Sequence, residues 1–105
     1  MTFEITLKEG ILNIVVLKAH ITGESKILNE LVERNYIKSN ISKVIFDFEH
    51  VEYISSLRIA EFIGIIKYFS KGKNKPGYKF INVDSKVAKI FYMIELNDLA
   101  DIETK

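Results

Sequence analysis

The sequence predicts an α/β fold: a mostly parallel mixed sheet of four to five strands that starts from an N-terminal hairpin, with helices packed mainly on one face. Three observations predict it. Two apolar runs within residues 3–17 are separated by Glu9-Gly10, the pattern of a tight hairpin. Beyond them, short apolar runs near 43–48 and 78–83 alternate with stretches whose apolar residues recur three or four apart. Such alternation means parallel strands joined by right-handed helical crossovers. If every crossover steps the same way, the helices share one face and the other stays partly covered. The length, 105 residues, suits one domain spanning 1–105, which can bury roughly two-thirds of the surface its unfolded chain exposes.

Taken in order, Phe3, Ile5 and Leu7 alternate with Glu4, Thr6 and Lys8, the period of a half-buried strand. Residues 11–17 return as a more continuously apolar strand, broken only by Asn13. An alternating strand beside a continuous one reads as an edge next to an interior position. Thr22-Gly23-Glu24-Ser25 closes that segment and opens a helix of about a dozen residues. Ile27, Leu28, Leu31, Val32 and Tyr36 form its apolar stripe, and Ser39-Asn40 ends it. A strand over 43–48 follows, then a polar turn, and a helix from about Ser56 to Phe69 with Ile59, Phe62, Ile63 and Ile66 on its stripe. Residues 70–77 are loop by composition. Residues 78–83 form the next strand, with Phe80 on one face and Ile81 and Val83 on the other. Asp84-Ser85 caps a third helix whose inner stripe is Val87, Ile90, Phe91 and Ile94. Residues 99–102 form a short last strand.

Composition narrows the function. A net charge of +1 gives no bulk attraction to nucleic acid or an anionic membrane, and the absence of cysteine excludes disulfides and thiolate metal sites. The most apolar window, 59–69, is too short to span a bilayer and is interrupted by Glu61 and Lys67. The N-terminus lacks a basic-then-apolar leader. These features point to a cytoplasmic domain with no membrane insertion.

Four clusters carry potential chemistry. Asp47, Glu49, His50 and Glu52 have metal-ligand types at a strand exit, but no second histidine is near in sequence, and solvated loop residues are the commoner outcome. Ser55 or Ser56 with His20 as base would make a nucleophile, yet neither serine sits in a Gly-x-Ser-x-Gly elbow. Gly72 and Gly77 lack the strand–loop–helix setting of a phosphate loop. Lys67, Lys71, Lys73, Lys75 and Lys79, with Tyr68, Phe69 and Tyr78 nearby, form a basic patch without arginine, which reads as a solubility feature before a nucleic-acid site. The residues therefore support no catalytic, metal or cofactor site. What stands out is Ser55-Ser56 where a buried strand hands over to a helix, a place with unpaired N–H groups and a positive dipole end. A serine there caps a helix; a phosphate there is well received.

With the element order and the serine pair in hand, the chain resembles the STAS family, the sulfate-transporter and anti-sigma-factor-antagonist domain. The matching core is Val51-Glu52-Tyr53-Ile54-Ser55-Ser56, followed by Leu57-Arg58-Ile59. Bacterial anti-sigma antagonists read here as an apolar pair, then Asp-Ser-Ser-Gly-Leu or Ser-Ser-Ala-Gly-Leu. The resemblance extends to the hairpin, the strand over 44–48 and the run 84–91. The chain departs from the pattern in three places. Ser55 stands where many members have Asp, and Arg58 where they nearly always have Gly. Ala19-His20-Ile21-Thr22 replaces the usual Gly-Glu-Leu/Ile-Asp.

The resemblance implies a non-enzymatic anti-sigma factor antagonist acting by partner switching. Unphosphorylated, it would bind an anti-sigma factor that is also a serine protein kinase. Phosphorylation at Ser56, with Ser55 as second choice, would release it, and a phosphatase would be a further partner. Tyr53 and Ile54 would fix the loop and Ser55 would cap the helix. Arg58 and Glu61 would give rim contacts, and Thr22 would lie on the same surface. The alternative is a STAS scaffold without phosphorylation, or an accessory subunit of a larger assembly such as a transporter. Either way the domain is expected to be a monomer or weak homodimer without cofactor or metal.

Overall fold

The computed structural model describes residues 3–17, 26–72 and 75–105. Among these residues five strands form one sheet in the order β1-β2-β3-β4-β5: β1 (Phe3–Lys8), β2 (Ile11–Val16), β3 (Lys43–Asp47), β4 (Gly77–Val83) and β5 (Asp101–Thr104). The first pair is antiparallel and the others are parallel. The helices are α1 (Ile27–Glu33), α2 (Ser56–Ser70) and α3 (Ser85–Met93), with short 3-10 turns at Tyr36–Lys38 and Leu96–Asp98. The α/β class, the mixed sheet and the hairpin start are as the sequence predicts. Glu9 (φ 53°) and Gly10 (φ 79°) both occupy the left-handed region, the pair of conformations a two-residue hairpin turn requires.

All three helices bury their stripes against one face of the sheet. Leu12, Ile14, Val16, Val44, Phe46 and Phe80 supply the sheet side, and Ile27, Leu31, Phe62, Ile65, Val87 and Phe91 the helix side. Phenylalanines form the centre: Phe46 stacks on Phe80 at 4.6 Å between centroids, and Phe62 and Phe91 meet Phe48 at 5.1 and 5.7 Å. Such ring pairs add about 0.5–1.5 kcal/mol each beyond the apolar area they bury.

Four details differ from the sequence-based expectation. Helix α1 ends early: Asn35 turns left-handed at φ 57°, a conformation Asn tolerates, and Tyr36 falls in a separate 3-10 turn. Val32 is consequently 52% exposed rather than part of an inner stripe. In β4, Phe80 and Val83 are both buried and Ile81 faces the other way. The cause is Asn82, whose φ of 55° accompanies a register shift between Phe80 and Val83. The last strand begins at Asp101, because the amides of Leu99 and Ala100 turn back onto the Leu96 carbonyl at 2.9 and 3.1 Å. Ile94, at the end of α3, is 45% exposed instead of inner.

Candidate functional site

The serines lie where the carboxyl ends of the parallel strands give way to loops and helix starts, the customary place for sites in open α/β sheets. The connection from β3 to α2 is short and pinned from below. Phe48 donates its N–H to the Ile81 carbonyl at 3.0 Å, and Val51 donates to the Phe48 carbonyl at 2.9 Å. Phe48, Val51 and Ile54 are buried while Glu52 and Tyr53 turn outward, so every apolar anchor of the loop points into the core. This is why Ser55 and Ser56 are held at a defined place.

The two serines have different local roles. Ser55 is the residue before the helix, extended at φ −86° and ψ 160°, and its Oγ accepts the Arg58 N–H at 3.3 Å. Ser56 is the first helical residue and is exposed. One of the amides left over at the helix start is thus satisfied by Ser55, and the hydroxyl of Ser56 faces solvent at the positive end of a fifteen-residue helix with no acid in its first turn.

Arg58 and Glu61, expected as rim contacts, have largely buried side chains, and both line the groove between α1 and α2. Arg58 is only 7% exposed and lines a small cavity together with Val16, Phe48, Val51, Tyr53, Ile54 and Phe62. Its Nη1 stands 3.6 Å from Glu61 Oε1, with the two side chains 9% and 6% exposed. Glu61 Oε2 in turn accepts the backbone N–H of Ile27 at 2.5 Å. The Arg58 guanidinium is therefore accommodated inward, where its charge is paired. Thr22 lies outside the described residues.

What the surface presents instead is Tyr53 (64% exposed) and Leu57 (68%) on either side of Ser56. Next to them an open groove of about 260 Å³ runs between α1 and α2, lined by Lys26, Leu28, Asn29, Leu57, Arg58, Ala60 and Glu61. Sequence reasoning names Tyr53 and misses Leu57 and the groove. The available signal is that Leu57 is a large apolar residue off the stripe set by Ile59, Phe62, Ile63 and Ile66, so the helix cannot bury it.

Some members of the other clusters have structural partners. Asp47 Oδ1 accepts the Glu49 amide at 3.0 Å and the Asn82 side-chain N–H at 3.1 Å. Glu49, His50 and Glu52 are exposed, and among the described residues no three metal-ligating side chains come together. His20 and Lys73 lie outside the described residues. Of the basic patch, Lys79 pairs with Glu103 at 2.9 Å, and that carboxylate raises the pKa of its ammonium. Phe69 is buried, and the Tyr78 hydroxyl donates to the Ile66 carbonyl at 3.0 Å. A further open depression of about 580 Å³, lined by Ile37, Lys38, Ile41, Phe69 and Pro76 among others, lies at the opposite strand ends with no acid or histidine in its lining.

The chain matches no protein-family model and no curated protein sequence. Its fold is shared with solved structures. The NMR structure of the protein TM1081 superposes with a TM-score of 0.72 at 14% identity, over 99% of this chain and 82% of that one. A crystal structure of the same Thermotoga maritima protein, there proposed to be an anti-sigma factor antagonist, gives 0.63 at 14% identity over 98% and 86%. Likeness at this identity establishes the shared fold. Among the described residues no helix is long and apolar enough to cross a membrane.

Proposed function

We propose that the chain is an anti-sigma factor antagonist that works by partner switching, with Ser56 as the phosphorylated residue. The observation that carries the reading is the division of labour between adjacent serines: Ser55 is engaged as the cap and Ser56 is left exposed at the head of α2. The fold it shares with a protein proposed to have this role supports the same conclusion. Tyr53, Leu57 and the α1–α2 groove form the docking surface for an anti-sigma factor of the ATP-binding kinase type, with buried Ile54 fixing the loop beneath it. Arg58 and Glu61 support that surface from beneath.

Phosphorylation adds about −1.5 to −2 charges and three acceptor oxygens. On the free domain the new group meets the positive end of α2 and stays hydrated, so the fold is preserved. Within a packed interface beside Tyr53 and Leu57 it must give up that water. A penalty of about 3 kcal/mol weakens binding roughly a hundredfold. The difference between these two environments is the switch.

Incubating the protein with its partner and ATP should add one phosphate, read by intact mass, and Ser56→Ala should remove that increment. Ser56→Asp should abolish partner binding while leaving far-UV circular dichroism unchanged. No incorporation into the wild-type chain, with partner binding intact, favours the scaffold alternative, and an unfolded Ser56→Asp protein assigns the serine a structural role.

A further inference from the structure

The face of the sheet away from the helices has an ordered arrangement of charge. Strand register places its outward residues in three rows running across the strands. One edge row holds Lys8, Ile11 and Lys43, and is basic. The opposite edge row holds Glu4, Val15, Asp47 and Ile81, and is acidic. The middle row runs Thr6, Asn13, Ile45, Lys79 and Asp101, where Lys79 is neutralised by Glu103. Glu4, Lys8 and Lys43 are exposed, and Val15, Ile45 and Ile81 are half-buried among their neighbours. Asn13, in the middle row, has a side-chain oxygen that is covered yet has no hydrogen-bond donor.

We propose that this face is the contact surface of a symmetric homodimer, two copies lying face to face with their strands antiparallel. A two-fold axis along the middle row sets the basic row of each copy over the acidic row of the other: Lys8 opposite the second copy's Glu4, and Lys43 opposite its Asp47. The same axis stacks Ile45 on its counterpart and sets the two Asn13 side chains over one another. Turning the second copy so that the axis runs along the strands would place acid over acid. In the edge rows charge therefore favours this arrangement, and in an isologous contact each of those pairs occurs twice, whereas Lys79 and Asp101 on the axis meet their own counterparts.

The surface also sets the strength. Five strands about 4.8 Å apart and three rows give a footprint of roughly 400 Å² per copy, against about 800 Å² per partner in a standard stable interface. The dimer accordingly belongs with weak, transient contacts and is sensitive to salt. It leaves the opposite face, with α2 and Ser56, accessible, so it does not depend on the function proposed for that serine.

Sedimentation velocity on the full chain tests this. The wild type should shift from monomer toward dimer as concentration rises from about 10 µM to about 1 mM at low salt, and the shift should shrink in about 0.5 M salt. The double variant Lys8→Glu with Lys43→Glu makes both edge rows acidic and should remain monomeric. Glu4→Lys makes the acidic row net neutral and should weaken self-association. Mixing these two variants should recover dimer toward the wild-type level, because three of the four cross-copy charge pairs are then opposite in sign, the exception being Lys43→Glu over the second copy's Asp47; recovery also shows that both chains are folded. A wild type that stays monomeric at about 1 mM, a double variant that associates like the wild type, or a mixture that fails to recover would each overturn the proposal.

Discussion

Helices α1 and α2 begin in opposite ways. The first turn of α2 is satisfied by its own chain, through the Ser55 hydroxyl three residues before the amide it accepts from. At the start of α1, Lys26 offers no side-chain cap, and the Ile27 amide donates to Glu61, thirty-four residues later on α2. Helix α3 follows the local pattern, with Asp84 accepting from the Lys86 amide at 2.9 Å. A local cap depends on a few neighbouring dihedrals. A borrowed cap exists only when two helices are already packed, so it ties the formation of α1 to α2. It also explains why a carboxylate is held in a mostly buried position: Glu61 satisfies the Ile27 amide and pairs with the Arg58 guanidinium at once.

Removing the borrowed cap should have the largest effect. Glu61→Ala leaves Arg58 buried without its counter-charge and Ile27 without an acceptor, and should cost about 3 kcal/mol in urea denaturation; a loss below about 1 kcal/mol would show that the pair holds little. Replacing both charges sharpens the point. Arg58→Met with Glu61→Gln keeps an oxygen for the Ile27 amide and removes the ionic pair, and should recover to within about 1 kcal/mol of wild type. Next come the local caps. Ser55→Ala and Asp84→Ala should each cost about 1 kcal/mol, and their effects should add, since the two sites share no partner. The exposed Glu30–Arg34 pair at 2.7 Å lies at the far end of α1, and Arg34→Ala should cost no more than about 0.5 kcal/mol. Smallest of all, Ser56→Ala should change stability by less than about 0.5 kcal/mol. Equal losses at Ser55 and Ser56 would erase the division of labour on which the proposed switch rests.

About half of the candidate site is legible in the amino-acid sequence. Ser55-Ser56 at the change of period marks the start of α2 to the residue, because capping is local chemistry. Arg58 and Glu61 are expected on the rim because a charged side chain in a helix is ordinarily solvated, and nothing in the spacing says that this pair turns inward. Leu57 and the α1–α2 groove escape for a related reason: a groove belongs to two helices, and neither one specifies it. Elsewhere the same limit shows at Asn82, where one left-handed residue moves Val83 onto the core face and defeats a strict alternation through Phe80 and Ile81. At Asn35 a similar residue ends α1 before Tyr36 and leaves Val32 in solvent.

Local chemistry and periodicity determined the hairpin turn at Glu9-Gly10, the alternation of strands and helices, the serine cap on α2 and the aspartate cap on α3. Those features depend on interactions within a turn or two of chain, which any folded state must satisfy. Tertiary packing alone decided that Arg58 and Glu61 are buried together, that α1 takes its first acceptor from α2, and that one sheet face carries its basic and acidic residues in opposed rows. Each of these joins residues from separate elements, so its energy exists only once the elements meet.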